Sequence, residues 1–296
     1  MRIGFIGFGE AARAFVDTLG KGNGRSEGKH FTTYDVLFDT EGMDGITANI
    51  ARSRNVHPLA HPADVADEAD WVFSAVTAAS SLDAAEAIAP HLRARQVFID
   101  INSVSPGRKR TSADLIAASG ATYVDMAVMA PVHPRGHRTP ALLAGKGATA
   151  LAAEFERLGF DFDVVGSEVG AATAIKMVRS LFVKGLEAIT VEMLLAARLS
   201  GCYDRVVPSL AATYPGLNWE TFADYEIERV SRHGVRRGAE MEEAAVTLRE
   251  LGLSGDIAAA VAATQTRIGS LGFAPKGETE ADVGALLAAM GLKLPG

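Results

Sequence analysis

The run RIGFIGFGEAARAF near the N-terminus constrains the fold more than any other stretch. An apolar strand pattern, RIGFI, gives way within a few residues to a helical one, EAARAF. The turn between them reads Gly7-Phe8-Gly9-Glu10-Ala11-Ala12, a G-x-G-x-x-A sequence. Each small residue has a physical task in such a turn. Gly7 permits the tight bend, Gly9 lets a pyrophosphate approach the backbone, and Ala12 lets the helix pack closely on the strand. The backbone N–H groups from Phe8 to Ala12 then lie at a helix N-terminus, where the partial positive charge favours an anion. The alternative is a tight strand–helix turn that holds no ligand. Its place at the start of a βαβ pattern favours a dinucleotide.

Downstream, FTTYDV, ADWVFSAV, QVFIDI, TYVDMAV, PALLAG and DFDVV read as strands. SSLDAAEAIAPHL and a stretch from about Ser105 read as helices. Apolar strands alternating with helices predict a parallel, doubly wound sheet covered on both faces. The pattern changes at Gly166. Ser167 is a candidate N-cap, and a helical pattern continues from it to Gly201, about 50 Å at ~1.5 Å per residue. Further helices are expected near residues 219–231, 235–251 and 256–270. The expected architecture is an α/β domain over residues 1–166, then an all-α domain over residues 167–296 entered through one long helix.

Composition narrows the function. The formal net charge is −7, which argues against a general nucleic-acid binder. No run approaches ~20 uncharged apolar residues, so no membrane span is expected. MRIGFIGFG is too short and too rich in glycine for a signal peptide. A lone cysteine, Cys202, forms no internal disulfide and fits a cytoplasmic location. The segment from Gly20 to His30 is a glycine-rich surface loop.

The second strand is expected to end in the residue that reads the adenosine ribose, and TTYDVLFD offers Asp35 or Asp39. Asp35 follows the apolar strand directly. It lies further from Gly9 than the usual ~20 residues, and the glycine-rich loop accounts for the excess. A carboxylate there accepts from ribose hydroxyls and repels a 2′-phosphate, which favours NAD over NADP. Two other readings stay open: a solvated strand end, and a phosphate reached by Arg25 or Lys29. Val76 and Thr77, at the end of the third strand, complete the expected cofactor set.

The stretch AIKMVRSLFVKGLEAI is apolar apart from one stripe. At ~100° per residue, Lys176, Arg179, Ser180, Lys184 and Glu187 fall within a wedge of about 140°. The stripe either faces solvent or lines a cleft between the two domains. A partly desolvated lysine in such a cleft serves as acid and base near neutral pH. Periodicity leaves both readings open.

Together these features resemble the β-hydroxyacid dehydrogenase family, which includes 6-phosphogluconate and 3-hydroxyisobutyrate dehydrogenases. The resemblance covers nearly the whole chain and implies a Rossmann domain followed by an all-helical domain. DINSVSP resembles the family's substrate motif and places Asn102 and Ser103 on the substrate. GSEVGAATAIK keeps Gly170 of a Gly-x-Gly motif and puts the catalytic lysine at Lys176, acid or base to the substrate oxygen while the nicotinamide carries the hydride. Ser180 stands where the family has a substrate-orienting asparagine and is assigned with Lys176; Lys184 is assigned to the substrate.

Three departures mark a divergent branch: Ser180 itself, Met129-Ala130-Pro131 in place of a Ser-Gly-Gly loop, and Ala239, beside Glu240, in place of a later lysine. The resemblance implies an NAD(P)-dependent oxidoreductase that interconverts a hydroxyl and a carbonyl on a small anionic substrate. It also implies a homodimer or higher homo-oligomer. Imine or iminium reduction on the same fold, and a non-catalytic cofactor-binding sensor, are the alternatives. No metal, nucleic-acid or membrane partner is expected.

Two basic segments remain. HPRGH carries His133 and His137, but Pro134 and Gly136 oppose a helix presenting both to a metal. With Arg135 and Arg138 the loop either meets a substrate anion or is solvated. Arg232, His233, Arg236 and Arg237 form the densest basic cluster, an anion site or a charged helix end.

Overall fold

The computed structural model describes residues 1–20 and 29–292. Arg25 lies outside them. Two compact units divide between Lys176 and Met177. In the first, eight strands form one sheet: β1 (Arg2–Ile6), β2 (His30–Tyr34), β3 (Val56–Pro58), β4 (Trp71–Ser74), β5 (Val97–Asp100), β6 (Thr122–Val128), β7 (Ala141–Ala144) and β8 (Phe162–Gly166). Their spatial order is β3-β2-β1-β4-β5-β6-β7-β8. Helices α1 (Glu10–Leu19), α2 (Leu37–Glu41), α3 (Ile46–Arg52), α4 (Pro62–Glu68), α5 (Ser81–Ile88), α6 (Pro106–Ala117) and α7 (Ala148–Leu158) connect them.

Alternation along the strands covers both faces of the sheet. Phe5, Phe73 and Ile99 join one apolar cluster with Phe15 and Phe155. Their chain neighbours Ile6, Val72 and Phe98 join the other, with Val65 and Ile116. Successive side chains of a strand point to opposite faces, so the near-continuous apolar runs are what a sheet buried on both sides requires. The expected parallel sheet carries one antiparallel junction, between β6 and β7. Residues 129–140 hold only a short 3-10 turn and no helix to carry the chain back across the sheet face, as a parallel crossover usually does.

The order reverses at β1, which pairs β2 on one side and β4 on the other. Ligands of open α/β sheets bind outside the carboxyl ends of the strands at such a switch point. Gly7, Asp35, Val76 and Asn102 each follow β1, β2, β4 and β5 at that edge.

The second unit contains most of α8 (Ala171–Leu199), with α9 (Tyr203–Thr213), α10 (Trp219–Glu250), α11 (Asp256–Gly269) and α12 (Thr279–Ala289). Leu194, Ile227, Val230, Ile268 and Leu286 form its largest core. Three expectations change here. The long helix starts at Ala171, not after Ser167, because Asp125 of β6 rather than a serine receives its first N–H groups (from Gly170 and Thr173, both 3.1 Å). At ~1.5 Å per residue it is about 44 Å long, and Gly201, at φ +64°, follows its end.

The two helices expected over residues 219–251 are one. Gly234 and Gly238 do not break it; a Cβ on Gly234 would lie 2.9 Å from Gly269 Cα on α11, so small residues there let two helices approach. Two further helices lie outside the expected set: α12, whose apolar residues show almost no helical period, and α9, which carries Pro208 inside it. Among the described residues, no helix is long and apolar enough to cross a membrane.

Candidate functional site

The two glycines of the first turn differ in what demands them. Gly7 has φ +88°, and an added Cβ would sit 2.6 Å from the Ala75 carbonyl oxygen, so the fold itself excludes a side chain. Gly9 has φ −80° and nothing within 4 Å of an added Cβ. Among the described residues, no protein atom needs Gly9 to be glycine. It caps α1 with no side-chain hydrogen bond, beside exposed Glu10 and half-buried Ala11. Such an open cradle at a helix N-terminus fits a pyrophosphate. Ala12, fully buried, packs the helix on the sheet.

Asp35 is held against this turn. Its Oδ2 accepts from the Phe8 N–H (2.6 Å) and its Oδ1 from the Leu37 N–H (2.9 Å). Asp39 instead accepts from the Tyr34 hydroxyl (2.7 Å), whose pKa burial and this bond push up to about 12. The structure therefore joins Asp35, not Asp39, to the glycine turn. Lys29 is corrected as a phosphate contact. Its Nζ donates to the Leu19 carbonyl (2.8 Å), at the opposite end of α1, about 15 Å from the turn. The Val76 N–H donates to Asn102 Oδ1 (2.8 Å), and exposed Thr77 pairs with Ser80 (3.0 Å).

Ser103 and Lys176, far apart in sequence, come together: Lys176 Nζ donates to Ser103 Oγ at 2.7 Å, half-buried. Asn102 is placed differently from its neighbour. It is 4% exposed, and its amide bridges to β4, accepting from Val76 N–H and donating to Ser74 Oγ (2.9 Å). The side chain that sequence puts on the substrate thus ties β5 to β4.

Beneath this loop lies a charged cluster that the motifs do not reveal. Lys109, fully buried on α6, donates to the Asp100 carbonyl (2.6 Å) and pairs with Asp100 Oδ1 (3.0 Å) and Asp125 Oδ1 (3.5 Å). The Tyr123 hydroxyl donates to Asp100 Oδ2 (2.7 Å). Burial raises the Asp125 pKa, against the pull of Lys109. It raises Tyr123 further, helped by the charge of Asp100. In sequence Lys109 sits between Arg108 and Arg110 and reads as part of a solvated run. The available signal is that residues 109, 112 and 116 share a helix face, with Ser112 and Ile116 both buried. Asp125 is signalled only as an acid inside the apolar strand TYVDMAV.

In the helical unit the polar stripe of α8 turns inward. Ser180, Lys184 and Glu187 are buried, whereas Arg179 is exposed. Lys184 donates to Ser180 Oγ (3.0 Å) and pairs with Glu240 (2.7 Å); desolvation lowers its pKa while Glu240 opposes. Glu187 receives Arg237 and Gln265, the latter at 2.8 Å. The solvent-facing reading of the stripe is thereby overturned for these three residues. Arg237 likewise leaves the expected anion cluster for the core, and exposed Arg232 pairs with Glu228 (3.4 Å). His137 is buried, bonded to Thr18 (2.7 Å) and the Leu158 carbonyl (3.1 Å), and burial pushes its pKa down to about 4. It is a core histidine.

Residues 2–152 match the NAD binding domain of 6-phosphogluconate dehydrogenase. The chain belongs to that family. Its NAD(P)-binding domain is thus the β1–α1 unit and the strands that follow. Residues 197–268 match a domain of unknown function, DUF1932. A conserved hypothetical protein from Sinorhizobium meliloti 1021 is 35% identical, covering 98% of this chain and 96% of its own, with TM-score 0.77. An uncharacterized 28.5 kDa protein of Methanothermus fervidus is 30% identical over 217 residues, 72% of this chain and 77% of that one. The 3-hydroxyisobutyrate dehydrogenase of Mycobacterium tuberculosis, solved with L-serine, shares the fold (TM-score 0.72) at 15% identity, over 96% of this chain and 98% of its own.

Proposed function

We propose that this member of the family is an NAD(P)-dependent oxidoreductase that interconverts a hydroxyl and a carbonyl on a small anionic substrate. The observation that carries the reading is the Lys176–Ser103 contact of 2.7 Å, because Ser103 follows β5 at the same sheet edge as the glycine turn. The nicotinamide, when bound, supplies or takes the hydride. Lys176 as ammonium gives a proton to the carbonyl oxygen during reduction; as amine it takes the hydroxyl proton during oxidation. Ser103 accepts from Lys176 Nζ, which aims the amine and leaves the serine O–H to donate to the substrate oxygen. The N-terminus of α6, which begins at Pro106 three residues after Ser103, favours a carboxylate.

Gly9, Glu10, Ala11 and Ala12 form the pyrophosphate cradle, with Gly7 and Phe8 as the bend leading into it (their N–H groups are taken by the Tyr34 carbonyl and Asp35), and Val76 and Thr77 border it. Asp35, fixed beside the turn, accepts from the ribose hydroxyls and favours NAD over NADP. Asn102 shapes the Ser103 loop through β4. Ser180 and Lys184 serve as a buried polar pair on the helix that carries Lys176.

The test is a panel of short hydroxy acids, the matching oxo acids and cyclic imines, run with NADH and NADPH. Lys176→Ala should lower turnover about 10²–10⁴-fold, the usual share of general acid–base catalysis, with NADH affinity nearly unchanged. Undiminished turnover in that variant removes Lys176 from the mechanism. Turnover of imines alone favours imine reduction, and binding of NADH without any turnover favours a sensor.

A further inference from the structure

Lys109 touches two carboxylates, and each controls one partner of the Lys176–Ser103 contact. Asp100 sets the loop: its Oδ1 accepts from the Asn102 N–H (2.8 Å), one residue before Ser103, and its carbonyl accepts from Lys109. Asp125 sets the helix: its Oδ2 accepts from Gly170 N–H and Thr173 N–H, so a buried acid caps α8 one turn before Lys176. Thr173 closes the circuit by donating from Oγ1 to the Val104 carbonyl (2.7 Å), one residue after Ser103. All of these groups, Lys109, Asp100, Asp125 and Thr173, are at most 1% exposed.

We propose that Lys109 is a positioning residue that fixes the distance between Ser103 and Lys176, because its single ammonium ties the loop bearing one to the helix bearing the other. A buried cluster of two acids and one base adds little stability over apolar packing. What it adds is fixed geometry: the Lys109 Nζ sits between the two acids, 3.0 Å from Asp100 Oδ1 and 3.5 Å from Asp125 Oδ1. Without it, two carboxylates would share a dry pocket, and one of them would take up a proton or move apart.

The inference rests on the oxidoreductase reading for its purpose, but its test needs no substrate. Lysine acylation across a pH series, read peptide by peptide by mass spectrometry, gives the reactivity and pH midpoint of Lys176, with exposed Lys146 as internal reference. The double variant Lys109→Met/Asp125→Asn removes the tie while keeping the cluster's net charge, since Asp100 alone remains. Its Lys176 midpoint should move by about one unit, a roughly tenfold change in reactivity at fixed pH. NADH affinity, which reads the glycine turn, should stay at the wild-type value.

A folded double variant with unaltered Lys176 reactivity and midpoint overturns the proposal. Should the double variant not fold, Thr173→Val severs only the bond to Val104 with little change of shape, and Thr173→Ser keeps it. A shift of the Lys176 midpoint in the valine variant and not in the serine variant supports the circuit; no shift in either overturns it. Where turnover is measurable, the double variant and Thr173→Val should lower kcat, Thr173→Ser should not, and all should leave the KM for NADH unchanged. A wild-type protein that turns over nothing in the panel sinks the oxidoreductase reading alone, because acylation still reports the geometry.

Discussion

At the scale of single residues, the glycine turn separates what the fold needs from what a ligand needs. Gly7→Ala forces a side chain onto a backbone at φ +88° and against the Ala75 carbonyl. It should destabilise the protein by about 1–3 kcal/mol, read by denaturant melting. Gly9→Ala meets nothing within 4 Å and an ordinary φ, so stability should change by less than about 1 kcal/mol. Its methyl group would occupy the space left for a pyrophosphate, and NADH affinity should fall about tenfold or more, some 1.4 kcal/mol. Equal NADH affinity in Gly9→Ala and wild type would show that the cradle binds no dinucleotide. These two positions were legible in sequence because a turn between strand and helix has few solutions. Lys109 was not, because a charge flanked by arginines looks solvated until its helix face is placed.

At the scale of elements, α8, α10 and α11 are held together by charge inside an apolar bundle. Glu187 of α8 receives Arg237 of α10 and Gln265 of α11. Glu226, one of the acids of α10, is 4% exposed, and its Oε2 has no hydrogen-bond partner among the described residues. Burial, then the charge of Glu187, pushes its pKa up to about 7, with Arg237 and Arg229 opposing. The folded state therefore holds this proton more tightly than the unfolded chain. The stability it contributes is full below about pH 4.5 and is lost as pH rises through about 7. Glu226→Gln mimics the protonated form. It should match wild type near pH 4.5 and exceed it at pH 8 by up to ~3 kcal/mol. A stability gain that is the same at both pH values would remove Glu226 as the titrating group. The periodicity of α10 showed its helical character but not its length, because Gly234 and Gly238 serve close packing and resemble stop signals in sequence.

At the scale of the whole molecule, the expected sheet and the helical region after it rest on periodicity that tertiary packing does not override. The inward turn of the α8 stripe was illegible, because polar residues at helical spacing look the same whether water or a buried partner satisfies them. Its consequence lies on the opposite side of the helix. Ile175, Val178, Phe182 and Ile189 are 45%, 50%, 71% and 64% exposed and share one face over about 21 Å. Contiguous apolar surface of this kind marks an interaction site. A two-fold pairing of copies would place each stripe against its equivalent, the commonest arrangement of homo-oligomers, and this supports the homo-oligomer proposed from the family resemblance. Phe182→Glu puts a charge at the most exposed point of the stripe, where paired copies would have to desolvate it. Sedimentation velocity or light scattering should find wild type as a dimer or larger and Phe182→Glu as a monomer of unchanged helix content. A wild-type chain that stays monomeric at tens of micromolar, roughly the range in which weak interfaces still associate, assigns the stripe to some other partner.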